Sequence, residues 1–258
     1  MSTKNNIFRA LVIILNSYLL AVAASGNSTF LAPEDIRIKN YNGFLNVKNP
    51  NGGYVIDNIS GSAELKATGS IVIGKIDGDL MASTPIGDIE IGEAMGNVRI
   101  NSQAGNVSIN KAQKHVFVEA GLGEVVIQSA KSVQVNNILG GDVKLLDILG
   151  YSNVSTNGNI LLIVNDQFNG LNLCDLSTTE GDITIYIPRG LGVNIEIKTP
   201  FSPNTEKETR IKSDFAFDTL NQKYEKGYYF VITTKINNGG SKMNLQVNKG
   251  DIYLKNKK

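Results

Sequence analysis

The chain has no tryptophan, one cysteine and one histidine in 258 residues. A single cysteine excludes any internal disulfide, so the fold must hold by packing and hydrogen bonding alone. Cys174, in "LNLCDLS", reads as a small buried residue at an alternating strand position. A nucleophilic thiol needs a base, and the sole candidate, His115 in "QKHVFVEA", lies 59 residues away and reads as a turn or strand-surface residue. The two are given no joint role. Net charge is scarce as well: 25 basic against 24 acidic side chains leave +1, which steers the chain toward neither nucleic acid nor an anionic membrane surface.

Long apolar runs are limited to one. "MSTKNNIFRALVIILNSYLLAVAASGN" has a basic start (Lys4, Arg9), an apolar stretch from Ala10 to Ala24, and the small-x-small pattern Ala21-Val22-Ala23. The stretch is short for a bilayer span, and this order of features reads as a secretory signal peptide over 1–24, cleaved near Ala23. An uncleaved N-terminal anchor is the other reading. The rest carries no second apolar stretch of membrane length, so the expected mature chain has no integral membrane segment.

What the chain has in abundance is a period of nine. Units starting at Gly43, Gly52, Gly61, Gly69, Gly78, Gly87, Gly96, Gly105, Lys114, Gly123, Lys131, Gly141, Gly150 and Gly158 carry apolar residues at places three and five, as in Ile89/Ile91, Val98/Ile100 and Val107/Ile109. The single exception is the Gly150 unit, where Ser152 precedes Val154. An apolar-polar-apolar triplet rich in β-branched residues is a short strand with one buried face, and Gly followed by Asp, Asn or Ser is a turn. One such unit buries too little to fold alone, whereas stacked units share a continuous core. The expected architecture is therefore all-β: a single-chain β-solenoid of nine-residue half-coils, two to a coil, with three strands per coil as the other spacing-compatible arrangement. Transmembrane β-barrel strands need about 9–11 residues, longer than these triplets.

The expected organisation is a lead-in or cap strand over 25–42, repeats over 43–163, and last coils with a C-terminal β cap of the same domain over 164–258. In the last segment "GDITIYIP" restarts the rhythm with Ile183 and Ile185 inward, "GVNIEIKT" and "YYFVITTKI" read as strands, residues 200–226 as a loop or irregular hairpin, "NNGG" as a turn, and "KMNLQV" and "GDIYLK" as final strands.

The recurrent "GDI-x-I" and "GNV-x-I" units, the late "TTEGDITIYIP" and the closing "NNGGSKMNLQVNKGDIYLK" resemble the adhesin family of exported or membrane-attached bacterial and archaeal β-solenoid proteins, a domain of unknown function. The resemblance covers roughly residues 40–255. It implies a cell-envelope or surface role with an adhesive function, and the expected partner is a protein or glycan at the cell surface. It carries over no catalytic residue.

Three kinds of site are conceivable on these residues. Asp79, Asp88, Asp142, Asp182 and Asp251 each follow a glycine, but calcium-binding nonapeptides need Gly-Gly-x-Gly-x-Asp in consecutive units, and here Asn97, Asn106, Asn159 and Ser70 stand at equivalent places. They read as turn residues. A polysaccharide-cleaving β-helix needs a cleft with convergent acids or arginines, and Arg99 is the only arginine within the fourteen units. Tyr224, Tyr228, Tyr229 and Phe230 near the cap form either a partner-binding patch or strand packing. No residue is assigned a catalytic, cofactor-binding or metal-ligating role, and no cofactor is expected. The expectation is a non-enzymatic exported surface module, with an envelope scaffold or assembly protein as the alternative and a carbohydrate-active enzyme as the distant one.

Overall fold

The computed structural model describes residues 12–15, 18–21, 35–200, 211–225 and 229–258, and these are all-β with no helix among them. The segment expected as a leader lies largely outside the described residues; of it the structure gives β1 (Val12–Leu15) and β2 (Tyr18–Ala21), an antiparallel pair. The chain divides into two compact units, 1–113 and 114–258.

In the first unit the strands alternate between two ladders. One holds β2, β3 (Ile36–Asn42), β5 (Tyr54–Ser60), β7 (Ile71–Ile76), β9 (Ile89–Ala94) and the start of β11 (Val107–Leu122), all parallel from β2 onward. The other holds β4 (Leu45–Asn49), β6 (Ala63–Ala67), β8 (Leu80–Thr84) and β10 (Val98–Ala104), also parallel. Ile71 pairs with Ile89 and Ile89 with Val107, a shift of eighteen residues, so each coil consists of two half-coils. That settles the strand count per coil in favour of two. The apolar residues at places three and five fill the interior, including Leu45, Val47, Tyr54, Ile56, Val98 and Ile100.

The two half-coils are not equivalent. Strands β5, β7 and β9 place two consecutive residues outward after the second inward one, so their third inward residue falls at place eight: Ile59, Ile76 and Ala94. Strands β4, β6, β8 and β10 keep strict alternation and bury Asn49, Ala67, Thr84 and Ser102 at place seven. At two of these places the polar side chain bonds a carbonyl of the following corner: Thr84 Oγ1 donates to Ile86 O at 2.9 Å, and Asn49 Nδ2 to Gly53 O at 3.3 Å.

The corner glycines answer a second requirement. A Cβ at Gly61 would lie 2.1 Å from the carbonyl oxygen of Gly43, and one at Gly96 would lie 2.3 Å from that of Gly78. Neither residue has a positive φ. Glycine is there because each corner rests directly on the corner below. The two units that begin with Lys114 and Lys131 behave differently: β11 and β12 (Val125–Gly140) run for 16 residues each straight across those positions.

In the second unit the same two-ladder plan continues with β13 (Val143–Ile148), β14 (Ser152–Thr156), β15 (Ile160–Val164), β16 (Asn172–Thr178) and β17 (Ile183–Ile187). Then come β18 (Val193–Pro200), β19 (Ile211–Ser213), β20 (Thr219–Glu225), β21 (Tyr229–Ile236), β22 (Ser241–Val247) and β23 (Ile252–Asn256). One ladder stacks in the order β12-β14-β16-β22-β18, parallel, and is extended by β21 and β20 antiparallel. The other runs β12-β13-β15-β17-β23-β19, parallel throughout. The strands expected in "GDITIYIP", "GVNIEIKT", "YYFVITTKI", "KMNLQV" and "GDIYLK" are present as β17, β18, β21, β22 and β23. Of the two readings of residues 200–226, loop or irregular hairpin, the described residues 211–225 favour the hairpin, since β20 pairs antiparallel with β21.

Among the described residues no helix is long and apolar enough to cross a membrane.

Candidate functional site

The aspartates that follow the corner glycines have a common task. Asp79, Asp88, Asp142 and Asp182 each accept, through the side chain, the backbone N–H of the equivalent residue in the next coil of the stack. Asp79 Oδ1 accepts from Asn97 N–H at 2.7 Å and Asp88 Oδ1 from Asn106 N–H at 2.7 Å. In the second unit Asp142 accepts from Asn159, Asn159 from Asp182, and Asp182 from Asp251, at 2.7–2.9 Å. Ser62 and Ser70 do the same through their hydroxyls. A short side-chain acceptor at place two is what the stack needs, which is why Asp, Asn and Ser interchange there. Among the described residues no group of three or more His, Cys, Asp and Glu side chains is arranged to hold a metal ion.

His115 occupies the same place in its unit and shares a hydrogen bond with Ser132 one coil on; it is exposed. Cys174 is a free, fully buried thiol, pushed well above the ordinary range by burial and then by the charge of Asp175. Of the aromatic cluster expected near the cap, the structure describes the side chain of Phe230 alone, half-buried.

The site with geometry to offer is one that no local motif announces. It lies on the outward face of the second unit, on the ladder β14-β16-β22-β18-β21-β20. Because strands are in register, Asn153 stands beside Asp175, Asp175 beside Asn244, Asn244 beside Glu196, Glu196 beside Thr233 and Thr233 beside Asn221. This is one uninterrupted row of amide, carboxylate and hydroxyl groups, roughly 24 Å long at about 4.8 Å per strand spacing. A second row, Ser155, Ser177, Gln246 and Lys198, runs alongside it. Between β14 and β18 the rows line a shallow groove of about 310 Å³, and a smaller depression of about 190 Å³ carries the surface on to Asn221 and Thr233.

Hydrogen bonds hold the row in place. Asp175 accepts from the Tyr151 hydroxyl on one oxygen and from Asn244 Nδ2 on the other. Glu196 pairs with Lys198 at 3.3 Å. Burial, and then the bond to Asp175, raise the Tyr151 phenol above its ordinary range, so it stays a donor. The arrangement can present alternating donors and acceptors to a polar chain lying across the strands. Its carboxylates are each engaged by a neighbouring donor.

The other ladder carries a different cluster: Lys212 Nζ lies 4.7 Å from the Tyr253 ring centre, and Lys255 Nζ lies 5.6 Å and 5.5 Å from those of Tyr186 and Tyr253. With the Lys212–Asp251 contact at 3.5 Å, these tie the three-residue strand β19 onto β23.

No protein-family model, no curated protein and no solved structure matches the chain.

Proposed function

We propose that this chain is a non-catalytic, exported surface module, adhesive or structural, that binds a hydroxyl-rich polymer such as a glycan laid across its strands. The observation that carries the reading is the row Asn153–Asp175–Asn244–Glu196–Thr233–Asn221. Extended polymers with repeating hydroxyls match a row of short polar side chains on a fixed backbone spacing, since little side-chain freedom is lost on binding. Export is supported by the basic, apolar and small-residue order of residues 1–24. The family resemblance points the same way.

The test is a glycan array followed by titration of the positive ligands. Asn244→Leu, at the centre of the row, is expected to weaken binding more than tenfold while far-UV circular dichroism is unchanged. An array with no positive, or affinities indifferent to Asn244→Leu, refutes the reading. Fractionation with N-terminal sequencing of the mature chain tests export, and an intact Met1 in the cytosol counts against it.

A protein partner is the second reading, that of an envelope scaffold. It is favoured by Ile138 and Leu139, adjacent residues at the end of β12 that are 62% and 64% exposed. Pull-down from envelope extracts with the parent and an Ile138→Asp, Leu139→Asp variant separates it from glycan binding.

A further inference from the structure

The last coil in the chain is not the last coil in the stack. β22 pairs in parallel with β16 on one side and β18 on the other, and β23 likewise lies between β17 and β19. After β17 the chain therefore skips a level, builds β18 to β21 beyond it, and only then lays residues 241–256 into the space left behind. Cys174 finds its partner Met243 69 residues later, where a regular coil would supply one after about eighteen.

The return into this slot is made by Asn237-Asn238-Gly239-Gly240, which steps over the start of β18 because β21 and β22 flank that strand on opposite sides. All four residues are left-handed, with φ of 52°, 63°, 78° and 156°. That region disfavours most residues with a Cβ, and asparagine is among the few that enter it readily, which suits these two positions to the turn. The turn is also pressed onto the segment it crosses: Asn237 Nδ2 donates to the carbonyls of Arg189 and Leu191 at 2.8 and 3.0 Å, and a Cβ on Gly192 would lie 2.1 Å from Gly239 O.

Every ladder partner of the inserted coil belongs to residues 172–213, none to the turn that delivers it. Met243, Leu245, Val247, Ile252 and Leu254 are buried in the slot. Left empty, the slot would expose facing strand edges on both ladders and an opening into the core, so it needs an occupant. A second copy of this chain supplies the identical occupant with identical bonds, and delivering it from outside straightens the left-handed turn. A short hinge joining an element to contacts distant in sequence is the setting in which identical elements exchange.

We propose that residues 241–258 exchange reciprocally between two copies of this chain, giving a dimer in which each copy's last coil fills the other's slot, in equilibrium with the closed monomer. The exchange keeps the polar row, because the partner copy's coil brings the same Asn244 to Asp175 and Glu196, and its test does not depend on glycan binding.

The experiment is a mixing test on the full chain. Glu180 and Lys249 face each other across the slot, Nζ to Oε1 3.1 Å, with Lys249 N–H donating to Thr179 O at 2.9 Å. One preparation carries Glu180→Cys alone, the other Lys249→Cys alone. They are unfolded, mixed, refolded at high concentration and oxidised. Exchange yields a disulfide-linked heterodimer on a non-reducing gel, at least tenfold above the control mixture of Glu93→Cys with Lys111→Cys, an ion pair of 3.0 Å between coils that do not exchange. Equal yields in the two mixtures overturn the proposal. Light scattering on the unsubstituted chain needs no variant to fold: a dimer that grows with the concentration at refolding is expected, and a monomer at every concentration overturns it. Asn238→Val, harder to hold left-handed, is expected to raise the dimer-to-monomer ratio about tenfold, and Asn238→Gly to lower it.

Discussion

Replacing Gly96 by alanine separates two explanations of the glycine period. If glycine serves only to end strands, alanine at a position with ordinary φ is harmless and stabilises by about 0.4–1 kcal/mol through the unfolded chain. The structure requires the opposite sign. A methyl group at Gly96 would lie 2.3 Å from the carbonyl oxygen of Gly78, 2.4 Å from its carbonyl carbon and 2.6 Å from the amide nitrogen of Asp79. All three are backbone atoms and none can rotate away, so the two coils must part by about 1 Å at that corner to reach ordinary contact. Two bonds span the gap: Leu80 N–H to Asn97 O at 2.8 Å, and Asn97 N–H to the Asp79 carboxylate at 2.7 Å. Lengthened by that amount, neither remains a hydrogen bond. Losing one neutral and one charge-assisted bond costs about 2–4 kcal/mol, less the gain in the unfolded chain. Gly96→Ala should therefore destabilise by about 2–3 kcal/mol. Gly190→Ala is the matched control, since nothing lies within 4 Å of a Cβ there and its φ is not left-handed. Urea denaturation followed by far-UV circular dichroism measures both. A Gly96→Ala midpoint within error of the parent, or equal to that of Gly190→Ala, would refute the stacked-corner explanation.

Further expectations concern the interior. Ser152 is buried with a hydroxyl that has no partner, so Ser152→Ala should stabilise by about 1 kcal/mol in the same urea assay; a loss of stability would show that the hydroxyl is satisfied. Thr178 Oγ1 donates to Gly158 O at 2.7 Å and accepts from Gly181 N–H at 3.1 Å, so Thr178→Val strands two corner groups and should cost about 2–4 kcal/mol, with an unchanged midpoint as the refuting result. The Cys174 thiol is raised in the folded chain, which favours its neutral form there. Its contribution to stability is complete below the unfolded thiol range, near pH 8.5, and declines as pH rises above it. Between about pH 7 and 9.5 the parent should lose more stability than Cys174→Ala, and iodoacetamide should label the thiol only as fast as the second unit opens. Rapid labelling of the native chain would contradict the burial.

The repeating part of this fold is legible in the sequence because the interior is written in it residue by residue. A two-residue side-chain alternation and a corner every nine residues leave one stacking solution, and inward pairs such as Val98/Ile100 and Val107/Ile109 are buried as their spacing requires. Even the deviant unit kept its register, since Ser152 faces inward where its place demands. The corners were half legible. Glycine and Asp or Asn marked each one, but the reasons, a Cβ that would strike the coil below and an acceptor for the next coil's N–H, exist only between coils. Linear spacing also blurred the two kinds of half-coil, because a third inward residue at place seven or place eight fits one nine-residue period equally well.

The polar row was not legible, for a topological reason. Asn153 and Asp175 are one coil apart in the chain, and a reader of the spacing would set the Glu196 strand directly on the Asp175 strand. Insertion of β22 puts Asn244 between them instead, on the Asp175 oxygen opposite the one that Tyr151 engages from the preceding coil. No local pattern encodes a skipped level, since β18 and β22 both read as alternating strands that stack on β16 with the same apolar faces, Ile195/Ile197 and Met243/Leu245. What distinguishes them is the turn. Asn237 to Gly240 returns the chain on the near side of β18, and the segment 188–192 is long enough to leave β17 for a strand two levels away. The row and the exchangeable coil thus have one origin. A chain whose last coil slips in between earlier ones gains a continuous polar surface across its end, and its final strands acquire the same docking place in every copy of itself.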